Sequence, residues 1–119
     1  MNKCSSVHKF ACNPEILEQA SELFKAMGDP TRLQILCSLM AGECLAGELA
    51  EVCGHTQSAI SHQLRLLRTL RLVRARRMGR NIFYSLDDAH VADIIRMALT
   101  HTDEKNEPRA SSRTRKPRA

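Results

Sequence analysis

The stretch "TQSAISHQLRLLRTLRLVRARRMGRNIFYSL", residues 56–86, changes its periodicity halfway along. In its first half Ile60, Leu64, Leu67 and Leu70 recur at three- and four-residue steps, the spacing that lines up one face of a helix. Thr56 stands where an N-cap hydroxyl belongs. From Val73 the pattern shortens. "VRARR" and "NIFYSL" are β-prone runs joined by "MGRN", where Gly79 supplies the backbone freedom of a tight turn. The stretch predicts one helix followed at once by a β-hairpin.

Upstream, "LAGELAEVCG" predicts a short helix closed by Gly54, so two short helices flank a glycine turn in the manner of a helix-turn-helix. The attached hairpin makes it a winged helix-turn-helix, mainly α with a β-hairpin wing. Pro14 opens a first helix whose Ile16, Leu17, Ala20, Leu23, Phe24 and Met27 share a face, and Gly28 ends it. Asp29 caps a second helix with Pro30 in its first position, and Leu33, Leu36, Cys37 and Met40 form its apolar stripe. Asp87 or Asp88 starts a last helix that runs to about Thr102. Residues 14–104 therefore read as one domain. Residues 1–13 and 105–119 read as a flexible N-terminal arm and a disordered basic tail.

The formal charge is +5, and its placement matters more than its sum: no acid occurs between Glu51 and Asp87, while seven arginines do. A basic block on a folded segment points to a polyanion. Gln57, Ser61, Arg65 and Arg68 fall on the face of the second short helix opposite its apolar stripe, with Ser58 and His62 beside them. Amides, hydroxyls and guanidinium groups suit base edges and phosphates in a major groove. Arg76, Arg77 and Arg80 lie near the hairpin tip, in reach of phosphate or the adjacent minor groove of double-stranded DNA. No apolar run approaches ~18 residues, and "MNKCSSVHKF" lacks a secretory core, so a cytoplasmic protein with no membrane partner is expected. Five irregularly spaced cysteines argue against a disulfide framework and for buried thiols, reactive thiols or metal ligands.

"LDDAHVADIIRMALTHTDE", residues 86–104, holds Asp88 and His90 at one end and His101 and Glu104 at the other. Residues 11 apart on a helix share a face but lie roughly 16 Å apart along the axis, whereas ligands sit ~2 Å from one ion. One helix cannot close such a site. Two antiparallel copies would set Asp88 and His90 of one chain against His101 and Glu104 of the other, giving two equivalent four-ligand sites in a two-fold homodimer. Ile94 and Met97 would then pack across the interface, with Val91, Ile95 and Ala98 facing their own domain. Nitrogen and oxygen donors suit Zn(II), with Co(II) or Ni(II) as substitutes.

The order of these motifs resembles the ArsR/SmtB family of metal-responsive bacterial repressors. The resemblance covers residues 15–104 and rests on "LFKAMGDPTRLQIL", "TQSAISHQLRLLRTLRLV", "GRNIFYSLDD" and the pairing of "DAH" with "HTDE". It implies a dimer that leaves its operator when metal binds. Asp88, His90, His101 and Glu104 match the ligand positions of the zinc-sensing branch. The resemblance further implies that His101, through its other ring nitrogen, bonds to the backbone near His62. The family's second metal motif is altered here, because "ECLAGEL" leaves the single thiol Cys44. Cys4, His8 and Cys12 can join Cys44 in a soft-metal or thiol site.

Together these features predict a non-enzymatic repressor of metal-resistance or efflux genes, with Zn(II) as regulatory ligand and no small-molecule substrate. The alternative is a sensor of soft metals, oxidants or reactive sulfur built on Cys4, Cys12 and Cys44. A zinc hydrolase is disfavoured because four protein ligands leave no position for an activated water. A constitutive architectural DNA binder would ignore metal altogether.

Overall fold

The computed structural model describes residues 9–106. Its elements follow in the order α1 (Pro14–Met27), α2 (Pro30–Leu39), β1 (Cys44–Leu45), α3 (Ala46–Cys53), α4 (Gln57–Thr69), β2 (Val73–Met78), β3 (Asn81–Leu86) and α5 (Ala89–Lys105). The architecture is the expected winged helix-turn-helix, with one addition. β1 pairs antiparallel with β3, so the sheet order is β1-β3-β2. Two residues carry too little pattern to be read as a strand from sequence.

Side chains at the helix starts satisfy free backbone donors. Asn13 accepts from the amides of Glu15 and Ile16, and Asp29 accepts from the Arg32 amide, each with proline in the first helical position. Asn13, the residue just before α1, is thus its N-cap. The Thr56 hydroxyl accepts from the Ala59 amide and starts α4. α5 continues past Thr102 to Lys105, so Glu104 lies on the same helix as His101.

The core forms where the helices converge. Ile35, Leu36, Leu49, Ile60, Leu64, Leu67, Leu72, Val73 and Ile95 are almost wholly buried, so α2, α3, α4, β2 and α5 all contribute. Burial of each such side chain contributes about 1.5–3 kcal/mol. In α2 the deepest positions are Ile35, Leu36 and Leu39, whereas Leu33, Cys37 and Met40 are half-buried, so the stripe read from the sequence is rotated from the real one. Arg32 links three helices: its Nε donates to the Ala26 carbonyl at 2.8 Å and its Nη1 to Gln63 on α4 at 3.2 Å.

The junction of α4 with the wing carries the one non-glycine residue of positive φ among those described, Arg71 at 61°. The Leu72 amide reaches back to the Leu67 carbonyl and the Arg71 amide to that of Arg68, the paired bonds of a Schellman turn. That turn needs a left-handed residue at this place, where a Cβ is strained. Replacing Arg71 with Gly should raise unfolding stability by roughly 0.5–1 kcal/mol, the relieved strain exceeding the added unfolded-state entropy. Chemical denaturation checks it; an unchanged or lowered midpoint contradicts a strained Arg71.

Candidate functional site

α4 buries Ile60, Leu64 and Leu67, which leaves Gln57, Ser58, His62, Arg65 and Arg68 exposed and Ser61 half-exposed. No acid lies on this helix. The Gly54 turn, with φ at 72°, sets α3 against α4, and Gly47 of α3 approaches the Gln57 side chain closely. A groove lined by Glu48, Gln57, Ser61, Arg80 and Tyr84 runs between α3, α4 and the wing. Helix face and hairpin thus flank one concave surface, with Arg80 beside it.

In the wing, Met78 pairs with Asn81 around the two-residue turn Gly79–Arg80, and Gly79 takes φ 66° in the first turn position, as a type II′ hairpin requires. Arg77 lies along the turn, its Nη1 3.4 Å from the Gly79 carbonyl. Arg76 is placed differently from the tip arginines. Its Nε and Nη2 donate to the two carboxylate oxygens of Glu43 at 3.0 and 2.7 Å. Its guanidinium lies over the Phe83 ring, 5.2 Å from the centroid. The hydrogen bond from Arg76 holds the Glu43 carboxyl below its usual pKa, and the same bond raises that of Arg76.

On α5, Asp88 is the N-cap: its Oδ1 accepts from the Val91 amide, while its Oδ2 lies 3.6 Å from His90 Nδ1. The Val91 amide bond is the main reason the Asp88 carboxyl sits below its ordinary pKa, with His90 adding to it. One carboxylate oxygen therefore anchors the helix while the other faces the imidazole. Val91 and Ile95 pack into the core, but every residue from Arg96 to Asn106 is exposed. Ala98, expected to face the domain, is among them, because the last turns of α5 run past the end of the core. The two halves Asp88/His90 and His101/Glu104 stay apart, and no group of three metal-binding side chains converges among the described residues. Nor does a hydrogen bond join His101 to the stretch around His62 among those residues, since α5 has left the domain by that point.

Apolar side chains accompany this exposed helix. Met97 is 72% exposed and Phe24 61%, with Ile16, Leu17, Ile94 and Leu99 also open. Between α1 and α5 lies a groove of about 700 Å³ lined by Leu23, Phe24, Met27, Leu70, Val91, Ile94 and His90, among others. The apolar face of α1 read from the sequence is real, and Ile16, Leu17 and Phe24, half of it, remain exposed among the described residues.

The thiol set is dispersed. Cys4 and His8 lie outside the described residues, and Cys12, expected as a thiol able to join Cys44, is disulfide-bonded. Cys44, in β1, has its Sγ 3.7 Å from the Gly42 carbonyl. Burial, helped by the charge of Glu48, pushes its thiol up in pKa; burial alone does so for Cys37 and Cys53. All three should react with a disulfide reagent at pH 7–8 more slowly than free cysteine does, because the thiolate is the nucleophile. Absorbance-monitored thiol titration of native and unfolded protein tests this, and a native Cys44 faster than free cysteine contradicts it.

Residues 29–75, from the α2 cap to the first residues of the wing, match the family described as bacterial regulatory protein, arsR family. A transcriptional repressor SmtB homolog of Synechocystis sp. is 41% identical over 98 residues, 78% of this chain and 74% of that protein. The chain belongs to the ArsR family. The regulator NmtR of Mycobacterium tuberculosis is 46% identical over 85 residues, 71% of each chain. In solution, a homodimeric winged helix-turn-helix DNA-binding domain from Mycobacterium bovis superposes with a TM-score of 0.74 at 30% identity, over 77% of this chain and 85% of that one. This ArsR-family chain is thus a DNA-binding transcriptional regulator, with the fold of regulators and not of enzymes. No helix among its described residues is long and apolar enough to cross a membrane.

Proposed function

We propose that this ArsR-family protein is a homodimeric repressor of metal-resistance or efflux genes that releases operator DNA when Zn(II) binds between the α5 helices of two protomers. The observation that carries the reading is the pair of separated half-sites on α5, a helix whose last turns are wholly exposed and whose Ile94 and Met97 are open. Antiparallel pairing would bury those residues and oppose Asp88 and His90 to His101 and Glu104 of the second copy. The homodimeric state of the Mycobacterium bovis domain supports a dimer, which such pairing requires.

The donor set fits the ion. Two imidazoles and two carboxylates make a closed nitrogen and oxygen shell, and the Oδ2 of Asp88 is available while Oδ1 caps the helix. Zn(II), when bound, supplies a bridge between the N-terminal part of one α5 and the C-terminal part of the other. Co(II) and Ni(II) accept the same donors. The chain's own residues do the rest. Val91 and Ile95 fix α5 in the core that also holds Ile60 and Leu64 of α4, so a shift of α5 is felt by the recognition helix. Gln57, Ser58, Ser61 and His62 meet base edges, while Arg65, Arg68, Arg77 and Arg80 meet phosphates. Metal must bind the weakly DNA-binding conformation better, and operator DNA must weaken metal binding by the same factor.

Mixing two inactive variants tests the shared site. D88A/H90A and H101A/E104A should each bind DNA but ignore Zn(II), whereas an equimolar mixture should regain one zinc per heterodimer, read by calorimetry. Failure of the mixture to bind would exclude ligands drawn from two chains. The DNA contacts are tested separately: replacing Arg65 with Gln should weaken operator binding and make the dependence of log K on log salt shallower by about one, as for one lost phosphate contact. An unaltered slope removes Arg65 from the phosphate contacts.

A further inference from the structure

Arg76 pairs with Phe83 across the β2–β3 ladder, and Phe83 pairs with Leu45 of β1 on its other side. This row, Leu45–Phe83–Arg76, is the outermost one with three strands. From the next pair outward, Arg77 with Ile82, the hairpin is a two-stranded ribbon, a unit that is marginal alone and twists freely. Across the same row the Arg76 side chain passes over the Phe83 ring and ends in a forked bond to Glu43, just before β1. A single side chain therefore ties all three strands together at the root of the wing.

We propose that the Glu43–Arg76 pair is a wing clamp: Arg76 is a positioning residue that sets the angle at which the hairpin tip meets DNA, not a phosphate contact. The proposal rests on the reading of the wing as part of the DNA interface and adds how the wing is aimed. The planar guanidinium suits the task, because its fork fixes direction and its face stacks on an aromatic ring, neither of which an ammonium does. Isolated surface ion pairs are weak, but bidentate arginine–carboxylate geometry is the exception. Glu43 takes the Nε–Nη2 fork and Nη1 lies 4.0 Å from Met78 Sδ, so Arg76 can offer a phosphate that bidentate fork only by giving up Glu43. Arg77 and Arg80 have no such carboxylate partner among the described residues and are carried on the part of the ribbon that the clamp orients.

The two roles predict opposite signs at Glu43. If Arg76 met phosphate, Glu43 would compete with DNA, and E43Q would bind DNA more tightly. With a clamp, E43Q and R76Q both weaken binding, about two- to five-fold, while the salt dependence keeps its slope. The charge-swapped double variant E43R/R76E recovers most of the loss. The probe is a fluorescent duplex selected by the unaltered protein from random-sequence DNA, titrated by anisotropy at several salt concentrations. On the DNA-free protein, ¹⁵N relaxation should show faster and larger motion at the Gly79 and Arg80 amides in E43Q and R76Q but not in R77Q. Unchanged or tighter binding by E43Q, a slope made shallower by about one in R76Q, or tip amides that do not respond would overturn the clamp. If the unaltered protein selects no duplex, the DNA reading itself fails, and the relaxation measurement alone decides whether the clamp exists.

Discussion

Ile60, Leu64 and Leu67 are at most 1% exposed, and their burial is the interaction on which the other features depend. They anchor α4 in one core with residues of α2, α3, β2 and α5, so the polar face of the same helix has one orientation relative to that core. A helix carrying Gln57, His62, Arg65 and Arg68 but free to roll would present no consistent surface to a groove. The Schellman turn at Arg71 then sends the chain into β2 at a set angle, and the wing inherits its position from α4. Arg32 adds a polar brace by joining the end of α1 to Gln63 on α4, so displacement of α1 is communicated to the same helix.

What was legible in the sequence is what local pattern controls. Pro14, Asp29, Thr56, Gly54 and Gly79 each mark an element boundary through backbone geometry or a cap, and each stands where expected. β1 was invisible because its two residues are a strand only by virtue of β3, formed some forty positions later. The role of Arg76 was hidden for the same reason: an arginine in a basic run resembles its neighbours until Glu43, thirty-three positions earlier, folds beside it. The α2 stripe was misread because Ile35 and Leu39 lie next to the chosen positions, and a ten-residue helix buried on two sides has no sharp apolar edge. For α5 the order was reversed. The sequence showed the ligand pairs and their spacing, while the exposure of Ala98 depended on where the core ends.

A single rise of 1.5 Å per residue connects the chemistry of α5 to the oligomeric state. Donors eleven residues apart on a straight helix are too far from each other to share an ion and too well aligned to be unrelated. Association resolves this, and the apolar residues between the pairs, Ile94 and Met97, stand where association needs them. Zinc and dimerisation are then not independent proposals, because each half-site is incomplete without the second copy. The same proposed arrangement would let an ion held on α5 matter to DNA-facing residues it does not touch. A bridge between chains constrains the relative orientation of two recognition helices, and a DNA duplex accepts only certain orientations.

Charge is divided among these tasks rather than spread over the surface. The segment from Val52 to Leu86 has no acid of its own, so its arginines are neutralised only by partners brought in from elsewhere. Among the described residues Glu43 is such a partner, and it engages one arginine at the root of the wing while Arg77 and Arg80 remain beyond it. α5 is richer in acids, with Asp88 at its cap and Asp93, Asp103 and Glu104 along its length. An acidic helix and a basic face on one small domain attract different ions. Their separation lets a cation approach the carboxylates away from the repulsion of the arginines, and a polyanion approach the arginines away from that of the carboxylates. Coupling between the two therefore has to travel through the shared core, to which α5 contributes Val91 and Ile95 and α4 contributes Ile60 and Leu64.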